Sequence, residues 1–182
     1  MKRLILSLCL ILLNACSLPL TRTPPAQLVT ITPTYTPTPA SSYGNCAYQW
    51  AYQDLPELSS EFQRAIRGLQ PEASANVFAF GEDCVYADGT KTFTAMETDF
   101  NITLQVKDLT NEANLGEWIV KVMQVIENIP QEKIVGSRPG RVSVAFQKAS
   151  EQKFANFYID QYQALPSGLS NAEIYQALQA PQ

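Results

Sequence analysis

Apolar residues recur at three- and four-residue spacing in two stretches of the chain, a pattern that places them on one face of a helix. The first predicted helix is capped by Asp54 and ends near Gly68, and the second covers residues 112–128 and is stopped by Pro130. The stripe of the first helix is formed by Leu55, Leu58, Phe62, Ile66 and Leu69. A Ser-x-x-Glu capping pattern that begins at Ser170 predicts a final helix.

Apolar and polar residues alternate in four other stretches, which predicts β-strands. Residues 76–86 and 91–106 are joined by an Asp-Gly turn and predict one hairpin. Residues 141–147 and 153–159 predict a second hairpin, although the aromatic residues of the last stretch also fit a helical spacing. The apolar positions change from odd to even numbers along the return strand of the first hairpin, so we expect a β-bulge near residues 96–99.

The predicted order of elements is therefore α-β-β-α-β-β-α. Short hairpin connections favour an antiparallel sheet of about four strands with the helices packed on one face, which is an α+β fold. We expect residues 45–182 to form this single domain, because the segment has the length of an ordinary domain and an ordinary apolar content. The other face of the sheet would be open to solvent and would be the natural place for binding.

The beginning of the chain has the pattern of an export signal. Two cationic residues precede a short apolar run, as in a secretory signal peptide covering residues 1–15. The run closes with Leu13, Asn14, Ala15 and Cys16, an ending that resembles the lipobox of bacterial lipoproteins, although Asn14 is unusual there. The resemblance implies cleavage before Cys16 and lipidation of this cysteine, which would hold the protein at a membrane on its extracytoplasmic side.

An ordinary cleaved signal peptide with an incidental Cys16 is the alternative interpretation. Residues 16–44 are rich in proline, threonine and serine and show no periodic apolar pattern, so they predict an extended tether. The sequence thus predicts three parts: a signal peptide, a tether that begins with lipidated Cys16, and the α+β domain.

Two of the four cysteines remain once the signal peptide and the lipidation residue are set aside. In an oxidising compartment, Cys46 and Cys84 would most simply form a disulfide. The alternative is a redox or metal pair, which the sequence favours less because the spacing is not Cys-x-x-Cys and the chain contains no histidine.

Three aromatic residues, Tyr48, Trp50 and Tyr52, alternate with small or polar residues directly after Cys46. In an extended segment their side chains project from the same face. They are therefore candidate ligand-binding residues, forming an aromatic platform for a sugar or a peptide. The alternative is that the rings pack onto the edge of the domain beside the disulfide.

The absence of histidine excludes Ser-His-Asp and Cys-His catalysis and histidine-containing zinc sites. Carboxylate-pair catalysis needs only two acids, and acids cluster along the first hairpin at Glu82, Asp83, Asp88, Glu97 and Asp99. Acids near a hairpin tip, however, usually form a solvated surface. A calcium site near Asp108 lacks the glycine and terminal glutamate of an EF-hand. We expect neither a cofactor nor a metal.

A net charge of −4 disfavours binding to nucleic acid. We therefore expect a noncatalytic, membrane-anchored lipoprotein whose domain binds an envelope protein, a glycan or a peptide. The alternatives are a structural or assembly accessory of an envelope complex and a carboxylate-dependent hydrolase. A contiguous exposed aromatic patch would favour ligand binding, a large flat apolar patch would favour docking, and two facing carboxylates with a raised pKa would favour the hydrolase.

Overall fold

The computed structural model describes residues 46–179 of the chain. These residues form a five-stranded sheet with helices on one face. The strands are β1 (Ala47–Asp54), β2 (Ser74–Val85), β3 (Lys91–Gln105), β4 (Arg141–Lys148) and β5 (Glu151–Tyr158). The helices are α1 (Pro56–Leu69), α2 (Glu112–Glu127), α3 (Ile159–Gln163) and α4 (Asn171–Gln179), with a short 3-10 turn at Gln131–Lys133. The predicted α+β class is confirmed.

The strands lie side by side in sequence order, β1-β2-β3-β4-β5. The β2–β3 and β4–β5 pairs are antiparallel, so both predicted hairpins are confirmed. The β3–β4 pair is parallel, so the prediction of an antiparallel sheet is wrong at its centre. The reason is α2, because a helix between two strands carries the chain back to the end of the sheet from which the first strand started.

The prediction of about four strands is also wrong, because β1 adds a fifth. This strand pairs with β2 in antiparallel register from Ala47 opposite Val85 to Asp54 opposite Phe78. Asp54 therefore belongs to β1 and does not cap α1, whose N-cap position is taken by Leu55 without a side-chain hydrogen bond. The chain passes directly from the edge strand into the helix.

The predicted β-bulge is confirmed at Met96. Phe80 of β2 lies opposite Glu97, whereas the next residue, Gly81, lies opposite Ala95, so Met96 has no partner across the pair. One extra residue reverses the face to which each later side chain points. Even-numbered residues after the bulge therefore face the helices, and odd-numbered ones, including Glu97, face away from them.

The hydrophobic core lies between the helices and one face of the sheet. Its largest fully buried side chains include Phe62, Ile66, Phe100, Leu115, Ile119, Met123, Phe146 and Tyr175. The helices also pack tightly on each other, because a Cβ added to Gly116 of α2 would overlap the carbonyl of Asn171, the first residue of α4. Among residues 46–179, no helix is both long enough and apolar enough to cross a bilayer.

We expect Gly116→Ala to lower the free energy of unfolding by roughly 1–3 kcal/mol, because α4 would have to move away from α2. Gly68→Ala in α1 is the matched control, since a Cβ there meets nothing within 4 Å. That control should be neutral or raise stability by up to about 1 kcal/mol through helix propensity. Urea unfolding of both variants makes the comparison, and equal stabilities would contradict the close α2–α4 contact.

Candidate functional site

The candidate site is the open face of the sheet, which points away from the helices. Residues directly opposite each other on paired strands share a face, so the strand register arranges the open face into rows that cross the strands. Three features stand out among these rows: a strip of aromatic rings, a row of amide and hydroxyl side chains, and a buried pair of acids.

The aromatic strip consists of Tyr48, Trp50 and Tyr52 of β1 together with Phe78 and Phe80 of β2. The three β1 residues are 72%, 64% and 62% exposed, respectively. Trp50 stacks on Phe80 with ring centroids 5.4 Å apart and planes inclined by 24°. Tyr52 lies 5.0 Å from the Phe80 ring and meets the Phe78 ring edge-on at 6.5 Å. Four of the rings, those of Trp50, Tyr52, Phe78 and Phe80, are therefore in contact with one another, and Tyr48 extends the row along the same face of β1.

The strip is held in place by the pairing of β1 with β2 and by the two cysteines next to Tyr48. The sulfur atoms of Cys46 and Cys84 lie within bonding distance and their Cα atoms are 5.3 Å apart, as a disulfide requires. Tyr48 lies directly opposite Cys84. The disulfide therefore fixes the first residue of the described domain to β2 and limits the fraying of the strand that carries the rings.

The amide row consists of Asn76, Asn101, Ser143 and Asn156, which are neighbours across β2, β3, β4 and β5. The Ser143 hydroxyl donates a hydrogen bond to Oδ1 of Asn156 at 2.7 Å. A shallow depression of about 350 Å³ covers the first three residues of this row and has Phe154 on its far side. Amides and hydroxyls both donate and accept hydrogen bonds, so the row can match a ligand that does the same.

The acid pair, Glu97 and Asp99 on β3, lies between the aromatic strip and the amide row. These residues are only 7% and 5% exposed. Oδ1 of Asp99 accepts a hydrogen bond from the backbone N–H of Arg141 at 2.9 Å. Burial, followed by the negative charge of Asp99, raises the pKa of Glu97, and the positive charges of Arg138 and Arg141 oppose this rise. Glu97 thus keeps its proton to a higher pH than an exposed glutamate does.

The loop of residues 134–140 closes over β3 beside the acid pair. The Thr98 hydroxyl donates to the carbonyl of Val135 at 2.8 Å and accepts from the N–H of Val135 at 2.9 Å. Gly136, whose φ is +88°, and Gly140 lie so close that a Cβ on either would overlap the β3 backbone. These contacts cover the backbone of β3 from Met96 to Thr98, the segment that carries Glu97.

The remaining acids of the first hairpin are not part of the pair. Asp83 points toward the helix side and forms a 2.7 Å ion pair with Lys91. Asp88 accepts hydrogen bonds from the N–H and hydroxyl of Thr90 within the turn. Glu82 lies on the open face opposite Trp50, in the row next to the one that contains Glu97. The expected cluster of five acids is therefore two acids that are neighbours on one face of β3 and three that are separate.

No group of three or more His, Cys, Asp or Glu side chains among the described residues could hold a metal ion. The calcium site considered near Asp108 is explained by local structure. Asp108 accepts hydrogen bonds from Thr110, and Asn111 accepts one from the N–H of Asn114 at the start of α2. These side chains complete a turn and a helix cap.

Sequence reasoning missed Phe78, Phe80 and the whole amide row. The signal for the two phenylalanines was the alternation of Asn76, Phe78 and Phe80 with Val77 and Ala79, which assigns them to the face opposite the core. The amide row had no comparable local signal, because its members come from four strands and become neighbours only through the register.

Comparisons with known proteins add no assignment. No family model matches the chain, and neither a curated protein nor a solved structure matches it. The function therefore has to be argued from the residues of the open face.

We expect Glu97→Gln to change the pH dependence of stability. Because the pKa of Glu97 is raised in the folded protein above its ordinary value of 4.5, folding is favoured when Glu97 is protonated, and this contribution is lost as the pH rises through the raised pKa. Glutamine stays neutral, so the variant should gain stability relative to wild type between pH 4.5 and pH 7. Urea unfolding over this pH range measures the difference.

Glu82→Gln is the matched control, because it removes the same charge from the same face one row away from the acid pair. A stability difference between wild type and Glu97→Gln that does not vary with pH would show that Glu97 is not perturbed by its surroundings.

Proposed function

We propose that this protein is a noncatalytic, lipid-anchored extracytoplasmic module that binds a glycan of the cell envelope on the open face of its sheet. The observation that carries the proposal is the aromatic strip, in which three rings that are each more than 60% exposed follow one another along the same face of β1. Large aromatic side chains are seldom left exposed together on a monomer without a binding role.

A sugar ring has two kinds of surface, and the open face offers a partner for each. Its C–H face packs on an aromatic ring, as Trp50 and Tyr52 provide. Its hydroxyl edge needs groups that both donate and accept hydrogen bonds, as the amide row provides. Successive rings along β1 are two residues apart, roughly 6.6–6.8 Å in a strand, so an extended chain of sugars could contact more than one ring.

A glycan fits the face better than the other ligands considered. The aromatic strip is bordered by Glu82, the acid pair and the amide row, so it is not the large flat apolar patch that protein docking would use. The acids on the same face and the net charge of −4 disfavour nucleic acid. A neutral ligand rich in hydroxyl groups avoids the repulsion that an anionic ligand would meet.

The proposal is noncatalytic because both members of the acid pair are withdrawn from the surface of the open face. Glu97 and Asp99 are only 7% and 5% exposed. Glycoside hydrolysis needs two carboxyl groups that flank the scissile bond of the sugar. Asp99 is also occupied by the backbone of Arg141. The raised pKa of Glu97 is accounted for by burial and by the negative charge of Asp99, and Asp99 itself holds the start of β4.

The location in the proposal rests on the sequence of the first 45 residues, which lie outside the described part of the chain. The lipobox-like ending at Cys16 and the tether of residues 16–44 would place the domain outside the cytoplasm, on the cell surface or the periplasmic side. The pairing of Cys46 with Cys84 supports this, since disulfides persist in oxidising compartments. The tether would join the domain at the strand that carries the rings.

Trp50→Ala should abolish most of the glycan binding, weakening it roughly tenfold or more, because the most central ring of the strip would be lost. Leu69→Ala is the control, since Leu69 is an exposed apolar residue, 39% accessible, that lies on α1 and not on the open face. Affinity electrophoresis of the purified protein through a panel of soluble polysaccharides and solubilised envelope glycan measures retention.

The two tryptophans, Trp50 and Trp118, allow a direct reading of the site. In a Trp118→Phe variant, Trp50 is the remaining tryptophan, and stacking of a sugar on it should shift its emission to shorter wavelength. Unshifted emission and free migration with every glycan of the panel would reject the glycan as ligand. The protein-docking alternative would then be the better explanation of the strip.

Cys16→Ser tests the anchor separately from the glycan. We expect the wild-type protein to fractionate with membranes and to carry a mass increase on its first mature residue, and the variant to lose both properties. Cys9→Ser is the control, because this cysteine lies inside the predicted signal peptide. A variant that still fractionates with membranes and carries the same modification would mean that Cys16 is not the lipidation residue.

A further inference from the structure

Strand β1 is an edge strand without the features that usually prevent an edge from pairing. Within residues 46–179 no strand lies on its outer side. It contains no proline, lysine or bulge between Ala47 and Gln53, and its first charged residue is Asp54 at its end. The opposite edge strand, β5, carries Glu151 and Lys153. Charged residues, prolines and bulges are the common ways of blocking edge pairing.

The aromatic residues of β1 are arranged symmetrically about Trp50, with Tyr48 two residues before it and Tyr52 two residues after it. We propose that β1 pairs in antiparallel register with β1 of a second copy of this chain, centred on Trp50. In this register Trp50 lies opposite Trp50 of the second copy, and Tyr48 lies opposite Tyr52 of the second copy. Cross-strand aromatic pairs of this kind stabilise sheets.

The helices leave room for two copies to approach edge to edge. Gln49 and Gln53, which point to the helix side of β1, are exposed, and Ala51 between them is only partly covered. Helix α1 packs on β2 rather than on β1. The helix layer of each copy therefore leaves β1 uncovered, as joining the two sheets into one sheet of ten strands requires.

A second copy fits this edge better than an unrelated strand does, because the symmetry matches every ring with a ring. Registers shifted by two residues leave at least one ring of each copy unmatched. Pairing of two eight-residue strands buries less area than the standard stable interface of about 1,600 Å², so the dimer should be weak in solution. Confinement of both copies on one membrane by the proposed anchor would raise their effective concentration.

Gln49 and Ala51 give a test of the register that leaves the rings intact. In the proposed pairing, each Gln49 lies opposite Ala51 of the other copy, on the helix side. Gln49→Lys with Ala51→Lys puts two pairs of like charges directly opposite each other, whereas Gln49→Lys with Ala51→Glu puts two pairs of opposite charges there. The two double variants differ at a single position, so each is the other's control.

Sedimentation velocity of the full chain in detergent, over a range of concentrations, measures the dimer. We expect the Lys/Glu variant to dimerise at least about tenfold more tightly than the Lys/Lys variant, with wild type between them. Thermal unfolding followed by circular dichroism verifies that both variants are folded. Equal dimer affinities, or a wild-type chain that is monomeric at every concentration, would overturn the proposal, whatever the outcome of the glycan measurements.

Discussion

The parallel pairing of β3 with β4 is the constraint on which the rest of the structure depends. Two parallel strands need a crossover connection, and α2 provides it by running across one face of the sheet between β3 and β4. The helices pack on this face, and the other face stays open. The pairing covers only Phe100–Gln105, the second half of β3. Just before it, the segment from Met96 to Thr98 lies beside the loop of residues 134–140, which is bound through Thr98. On this side, the backbone of β3 thus forms hydrogen bonds with β4 near its end and with the loop near its middle.

The bulge at Met96 lies at the start of the part of β3 that the loop contacts, and it decides which side chains the open face contains. Because it reverses the alternation, β3 buries Phe100, Ile102 and Leu104 under the helices while it presents Glu97 and Asp99 on the opposite face. Two carboxyl groups side by side on one strand repel each other when both are ionised. Because both side chains are buried, this repulsion is weakly screened, and together with burial it raises the pKa of Glu97.

Sequence patterns predicted the features that local physics decides. The two helices, both hairpins, the bulge and the Ser170 cap of α4 all follow from spacing within one segment, and the structure contains each of them. The stripe of α1 is shorter than predicted, because Leu55 precedes the helix and Leu69 is exposed. The parallel β3–β4 pair was missed because it depends on the end of the sheet at which the chain leaves α2 and enters β4. Strand β1 was not counted because its side chains are exposed on both faces, so it carries no alternation of buried and exposed residues. Tyr48, Trp50 and Tyr52 could be proposed as a platform, whereas the amide row needed the register.

An exposed edge strand with three uncovered rings is also a hazard, because any extended chain could add to it. The disulfide at Cys46 limits fraying of the strand but leaves its outer edge unchanged. A symmetric pair of copies removes the hazard, since an isologous contact uses the same edge on both partners and then has no free β1 edge left. The same contact places the two aromatic strips side by side on one face. The proposed glycan surface and the proposed β1–β1 contact therefore make compatible demands on one strand.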